Sequence, residues 1–208
     1  MKLLISAFLL LMLGFAGPAS AKEWAFKVYL DGREIGQHTF TLQQHGDVRE
    51  LTSQAKFNVK VLFIDAYQYT HTASEKWQRD CLTSLAARTV ENKEVTVVKG
   101  QREDSGFVVT SPKGMQTLPA CVMTFAYWNP NMLTQDKLLN PQTGEWLDVK
   151  ISALGNDTIT VRGKPVTAEH YKLEAPKLKI ELWYSPDKEW LALQSTTPEG
   201  YVISYKLR

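Results

Sequence analysis

Between positions 67 and 77, aromatic and ionisable side chains recur at every second residue except Ala73. Tyr67, Tyr69, His71, Glu75 and Trp77 therefore share one face of an extended chain. His71 and Glu75 are four positions apart, about 13 Å along a strand, too far for a direct pair. Each is expected to meet a polar partner on a neighbouring strand, an Arg or a Lys. The alternative chemistry is a polar rim in an aromatic cavity, where His71 and Glu75 fix the head group of a ligand. A second group brackets the middle of the chain: Tyr127, Trp128 and Asn129, then Asn140, Gln142 and Thr143. As structure, Asn129-Pro130 caps a short helix and Asn140-Pro141 opens a turn. As function, amides, a hydroxyl and an indole converging at a barrel mouth would recognise a polar group. These eleven residues form the candidate ligand-binding set.

Other chemistries find little support. The four histidines include no H-x-x-x-H pair, and two cysteines cannot build a multi-Cys zinc site, so no metal and no cofactor is expected. His38 follows Gly36, His45 sits in a polar turn, and His170 alternates with Tyr171. There is no G-x-S-x-G elbow, no Gly-rich phosphate loop and no H-E-x-x-H. A formal charge of +2 without a Lys/Arg stripe argues against nucleic acid as a partner.

The elements that must position these residues read as strands. Trp24, Phe26, Val28 and Leu30 alternate with polar or small neighbours, and Asp31-Gly32 is the dipeptide a type I′ hairpin prefers. In that register Val28 faces Ile35, which would put Phe40 and Leu42 on the wrong face, so Gly36 is expected to be a β-bulge. Alternation continues from Leu51 to Phe63, from Tyr67 to Trp77, from Leu147 to Ala153, from Leu178 to Tyr184 and from Tyr201 to Leu207. Turn signals at 111–114, 155–157, 162–164, 185–187 and 197–200 separate the later strands. Asn156-Asp157-Thr158 is a formal glycosylation sequon within one of them. The pattern implies a mainly β fold, an antiparallel meander forming an open or half-closed barrel. One or two short helices at about 122–139 are expected at one end, because Val122, Phe125 and Ala126 have helical spacing and Met132, Leu133, Leu138 and Leu139 add apolar surface.

Lys2, a short apolar run and Ala19-Ser20-Ala21 form a signal-peptide pattern over 1–21, with cleavage expected after Ala21. Residues 22–208 then form a single β-rich domain, exported to the bacterial periplasm, with no transmembrane segment. In that compartment Cys81 and Cys121 are expected to form a disulfide.

Five stretches resemble an uncharacterised family of exported bacterial proteins, known as a domain of unknown function. They are Trp24-Ala-Phe-Lys-Val-Tyr-Leu-Asp-Gly32, His71-Thr-Ala-Ser-Glu-Lys-Trp77 leading to Cys81, Phe125-Ala-Tyr-Trp-Asn-Pro130, Leu139-Asn-Pro-Gln-Thr-Gly144, and Gly163 through Ala168 to Tyr171. The resemblance implies an exported antiparallel β-protein and no reaction. The layout is also similar to periplasmic carriers of lipids and lipoproteins, in architecture alone. The expected function is non-enzymatic binding of a hydrophobic or amphipathic ligand such as a lipid. The alternatives are a structural or assembly partner of an envelope protein complex, and a hydrolase whose site is assembled across strands.

Overall fold

The structure, a computed structural model, describes residues 20–61 and 64–208. The expected signal segment up to residue 19, and the Phe63 end of one alternating run, lie outside the described residues. Eight strands come first: β1 (Ser20–Leu30), β2 (Arg33–His45), β3 (Val48–Val61), β4 (Ile64–Gln78), β5 (Cys81–Glu91), β6 (Glu94–Glu103), β7 (Gly106–Ser111) and β8 (Gly114–Leu118). A small hairpin follows, β9 (Lys137–Leu139) with β10 (Trp146–Asp148). Five more strands complete the chain: β11 (Lys150–Val161), β12 (Lys164–Ala175), β13 (Leu178–Tyr184), β14 (Trp190–Thr196) and β15 (Val202–Leu207).

All strands except β9 and β10 join one antiparallel sheet in the order β11-β12-β13-β14-β15-β1-β2-β3-β4-β5-β6-β7-β8. It is a meander cut in the middle: the first and last strands pair, Phe26 opposite Leu207 and Val28 opposite Tyr205. The sheet does not close, and β8 and β11 are its edges. Residues 119–149 lie between those edges in sequence and pack into the concave face, where Val122, Met123, Ala126, Trp128, Met132, Leu138 and Leu139 join the core of Trp24, Phe26, Trp77 and Trp190.

The local chemistry explains the register. Asp31 and Gly32 both take positive φ, 47° and 80°, as the tight β1–β2 turn requires. The register then slips by one residue, Val28 pairing with Gly36 but Tyr29 with Glu34. This bulge puts Ile35, Phe40 and Leu42 all in the core. A Cβ on Gly36 would stand 2.0 Å from the Lys56 carbonyl oxygen, so only glycine fits there.

Two expectations change. Within 122–139 the helix is a single 3-10 turn, Pro130–Thr134, capped by Asn129 with Pro130 at its start. Val122 to Tyr127 run irregularly, and Leu138 and Leu139 lie in β9. Helical spacing misleads here because the segment is enclosed by the sheet, so apolar residues can point several ways and all be buried. Gly155-Asn156-Asp157 is not a turn but part of β11, where the register slips between Ala153 and Gly155. The glycine serves a bulge there, and the sequon lies in the strand. The remaining turn signals all fall between strands. Among the described residues no helix is long and apolar enough to cross a membrane.

Candidate functional site

The inner wall is built in rows by strand register. One row runs His38, Ala55, His71 and Thr89 across β2 to β5. The next runs Gly36, Phe57, Tyr69 and Glu91, and the one on the other side runs Phe40, Ser53, Ala73 and Ala87. Small residues at Ser53, Ala55, Ala73 and Ala87 alternate with the larger side chains of this wall, and all four are buried. Rings occupy its rim: Phe57 stacks on Tyr69 at 5.1 Å, and Tyr67 lies parallel to Tyr69 at 6.4 Å.

His38 and His71 flank Ala55, so about 10 Å separates their strands. His38 is buried, with Nε2 2.7 Å from Ser53 Oγ and Nδ1 3.2 Å from the Tyr205 hydroxyl. His71 is buried, with Nδ1 2.9 Å from Thr89 Oγ1. Burial pushes both imidazoles down, His71 to about 4, and the presence of His71 lowers His38 further. Both are neutral at pH 7 and act as hydrogen-bonding groups without charge.

Glu75 accepts hydrogen bonds at Oε2 from Trp77 Nε1 at 3.0 Å and from Thr124 Oγ1 at 3.4 Å. Its expected Arg or Lys partner is replaced by these neutral donors. Burial raises its carboxyl to about 7, against the opposing effect of the two hydrogen bonds.

The 119–149 segment is pinned at several points. Cys81 and Cys121 are bonded, and Leu82 N–H donates to the Val122 carbonyl at 3.0 Å. Asn129 Nδ2 donates to Asp80 Oδ1 at 3.0 Å, Asn131 Nδ2 to Asp80 Oδ2 at 2.9 Å, and Arg49 to Asp80 Oδ1 at 2.8 Å. Burial alone would raise Asp80, but these three donors outweigh it and hold the carboxyl below its ordinary range. Tyr184 donates to the Tyr127 carbonyl at 2.8 Å.

The structure brings together part of the expected set. Trp77 meets Trp128 edge to face at 5.6 Å, and the Arg49 guanidinium covers the Trp128 ring at 4.8 Å. The Trp128 indole N–H has no acceptor among the described residues. Asn129 is fully used in structure, its Oδ1 capping Asn131 N–H and its amide holding Asp80. Asn140, Gln142 and Thr143 do not join the barrel interior. Asn140 Oδ1 accepts from Gln142 N–H, and Thr143 donates to Glu145. Their turn sits against the β7–β8 hairpin, where Gln116 donates to the Gly144 carbonyl at 2.7 Å. A shallow groove of about 310 Å³ separates the two.

The interior gains residues that sequence spacing did not single out: His38, Ser53, Phe57, Thr89 and Tyr205. Tyr205 arrives from the last strand, and only the β1–β15 pairing places it beside His38. Four tyrosines, Tyr67, Tyr69, Tyr127 and Tyr205, have phenols raised above their ordinary range by burial, and charges on neighbouring phenols add to this at Tyr69 and Tyr205. Tyr127 and Tyr205 nonetheless keep accessible surface. Tyr67, Tyr69, Phe57, Tyr205, His38 and His71 form one continuous cluster of ring contacts on the inner wall.

Ser53 Oγ beside His38 Nε2 resembles a nucleophile and its base, but the third group is the Tyr205 phenol rather than a carboxylate. A depressed imidazole is a weak base, and both residues are buried. Among the described residues no group of histidine, cysteine and carboxylate side chains could hold a metal.

The profile of a family described as Domain of unknown function (DUF6134) matches residues 26–208. A crystal structure of a beta-barrel-like protein of Domain of Unknown Function DUF1849 from Brucella abortus is similar in fold, with a TM-score of 0.65 and 10% identity. The alignment covers 89% of this chain and 94% of that one. No curated protein matches the chain.

Proposed function

We propose that this chain, which belongs to the DUF6134 family of unknown function, is an exported, non-enzymatic protein that holds one hydrophobic or amphipathic molecule inside its open barrel. The observation that supports this reading is the continuous cluster of aromatic rings on the inner wall, with two neutral imidazoles set among them. Ligand sites combine apolar walls with few convergent polar groups. Here Phe57, Tyr67, Tyr69 and Tyr127 supply the walls, and His38, His71 and the Tyr205 hydroxyl supply the polar groups without burying a charge. Trp77 and Trp128, which the sequence also suggests as ligand contacts, serve instead to seat the 119–149 segment.

The test uses an uncharged apolar fluorophore, N-phenyl-1-naphthylamine, titrated into the full chain. Saturable binding of one probe per chain, with a blue-shifted emission, is expected. Tyr127→Leu removes one aromatic ring from the proposed site and should weaken binding about tenfold, or about 1.4 kcal/mol. A folded wild-type chain that leaves the probe's emission at its value in water would end the proposal.

A further inference from the structure

The outer face of the sheet carries a groove of its own. Outward side chains of β1, β13, β14 and β15 form its floor, and the tip of the β11–β12 hairpin forms its wall, enclosing a groove of about 500 Å³. The depression exists because the floor is made of small residues, Ala192 and Ser204, between large ones. Trp183 stands at one side, directly opposite Ala192 in the register. It is held rigidly: its Nε1 donates to Asp157 Oδ2 at 3.1 Å, and its ring stacks on His170 at 4.5 Å. His170 is fixed in turn by Asp157 at 2.8 Å and Glu181 at 2.9 Å. A flat apolar wall is thereby set in place before any ligand arrives.

The charge pattern is unusual for a sheet surface. Lys27 and Lys206 are direct cross-strand partners on β1 and β15. Like charges placed opposite one another destabilise a sheet pair. Arg162, at the hairpin tip, adds a third cation, and none of the residues lining the groove is acidic. Lys27 binds Glu34 at 2.9 Å, and the Lys206 ammonium lies 4.9 Å above the Tyr29 ring. Glu34 offsets Lys27, and the groove presents Lys206 and Arg162, whose Nε donates to the Arg208 carbonyl, over an aromatic and aliphatic floor, with Asp157 and Glu181 placed behind the Trp183 wall. A phosphomonoester carries about −1.5 to −2 at neutral pH.

We propose that this groove binds a single-chain amphiphile with a phosphomonoester head, the head on Lys27, Lys206 and Arg162 and the apolar chain along Tyr29, Ala192 and Trp183. The proposal does not depend on a ligand inside the barrel. It is tested by titrating the full chain calorimetrically with 1-oleoyl lysophosphatidic acid, below its micelle concentration. The expected result is one bound lipid per chain, with affinity falling as salt rises. Lys206→Gln with Arg162→Gln should weaken binding at least tenfold, and Trp183→Ala should weaken it by a similar factor. Lys99→Gln, an exposed cation on β6, should leave it unchanged. Circular dichroism confirms that each variant is folded, and the exposed cation changes disturb no core residue. Unchanged affinity in the Lys206/Arg162 double variant overturns the proposal. So does competition by inorganic phosphate with equal affinity, which would make the site one for a free anion. Displacement of N-phenyl-1-naphthylamine by the lipid would place the lipid inside the barrel instead and equally overturn it.

Discussion

Replacing Glu75 with glutamine separates the burial of its charge from the hydrogen bonds it accepts. Glutamine keeps the shape and can still accept from Trp77 Nε1 and Thr124 Oγ1, but it cannot ionise. In the folded chain, burial raises the Glu75 carboxyl from 4.5 to about 7. A group whose folded-state pKa is raised contributes stability that is complete below the unfolded value and is lost as pH rises through the folded one. The loss therefore runs from about pH 4.5 to about pH 7. Each pH unit is worth at most about 1.4 kcal/mol, so the full loss is roughly 3 kcal/mol. His38 and His71 act with the opposite sign. Their folded pKa values are depressed, so their stabilisation is complete above the ordinary value of 6.5 and is lost as pH falls, for His71 toward about 4. The wild-type profile thus mixes opposed slopes, but both histidines remain in Glu75→Gln and cancel in the difference. Urea unfolding of the two proteins should give stabilities within about 1 kcal/mol of each other at pH 4.5. By pH 8 the balance should have moved roughly 3 kcal/mol in favour of the variant. A difference that stays constant across that range would refute the argument, because Glu75 would then titrate alike in the folded and unfolded chains.

Other outcomes follow from single contacts. Replacing Cys81 and Cys121 with alanine opens a loop of 40 residues' separation, which the chain-entropy model values at about 4 kcal/mol; the melting temperature should fall by roughly 8–16 °C, and a fall of only a degree or two would contradict it. Gly36→Ala should cost more than about 1 kcal/mol in chemical denaturation, since the new methyl meets the Lys56 carbonyl at 2.0 Å; an unaffected midpoint would show that the bulge does not require glycine. Asn129→Ala removes both the cap and the bond to Asp80 and should cost about 1–2 kcal/mol, while Asn129→Asp, which keeps the capping oxygen, should still lose the donor to Asp80; equal stability of all three proteins would count against the pinning of this segment.

The residues that set the sheet were legible because they act locally. Period-2 alternation names the inward face of β4, and Asp31-Gly32 specifies the β1–β2 turn chemically. The bulge at Gly36 follows from a face mismatch within a dozen residues. What the sequence did not disclose depends on distance or enclosure. His38 and Tyr205 are 167 positions apart and meet only because the first strand pairs with the last. The 119–149 segment is surrounded by sheet, and an enclosed irregular chain can bury Val122, Met123 and Ala126 without a helix to give them a period. Gly155 reads as a turn because glycine serves bulges and turns by the same conformational freedom. Of the candidate site, the β4 face was read correctly as inward, whereas Asn129 and Asn140 proved to spend their amides on capping and turn bonds. The cross-strand Lys27–Lys206 pair, like Tyr205, was invisible before the closing register was known.

The central claim, that the barrel interior carries a hydrophobic or amphipathic molecule, is tested most directly by native mass spectrometry of the full chain purified from its native host without detergent. The account predicts a chain that retains one lipid-sized mass under gentle ionisation and releases it on denaturation, and a Tyr127→Leu chain that retains much less. A bare wild-type chain, or one that carries a second protein and no small molecule, would contradict it and would favour the reading of this barrel as an assembly partner.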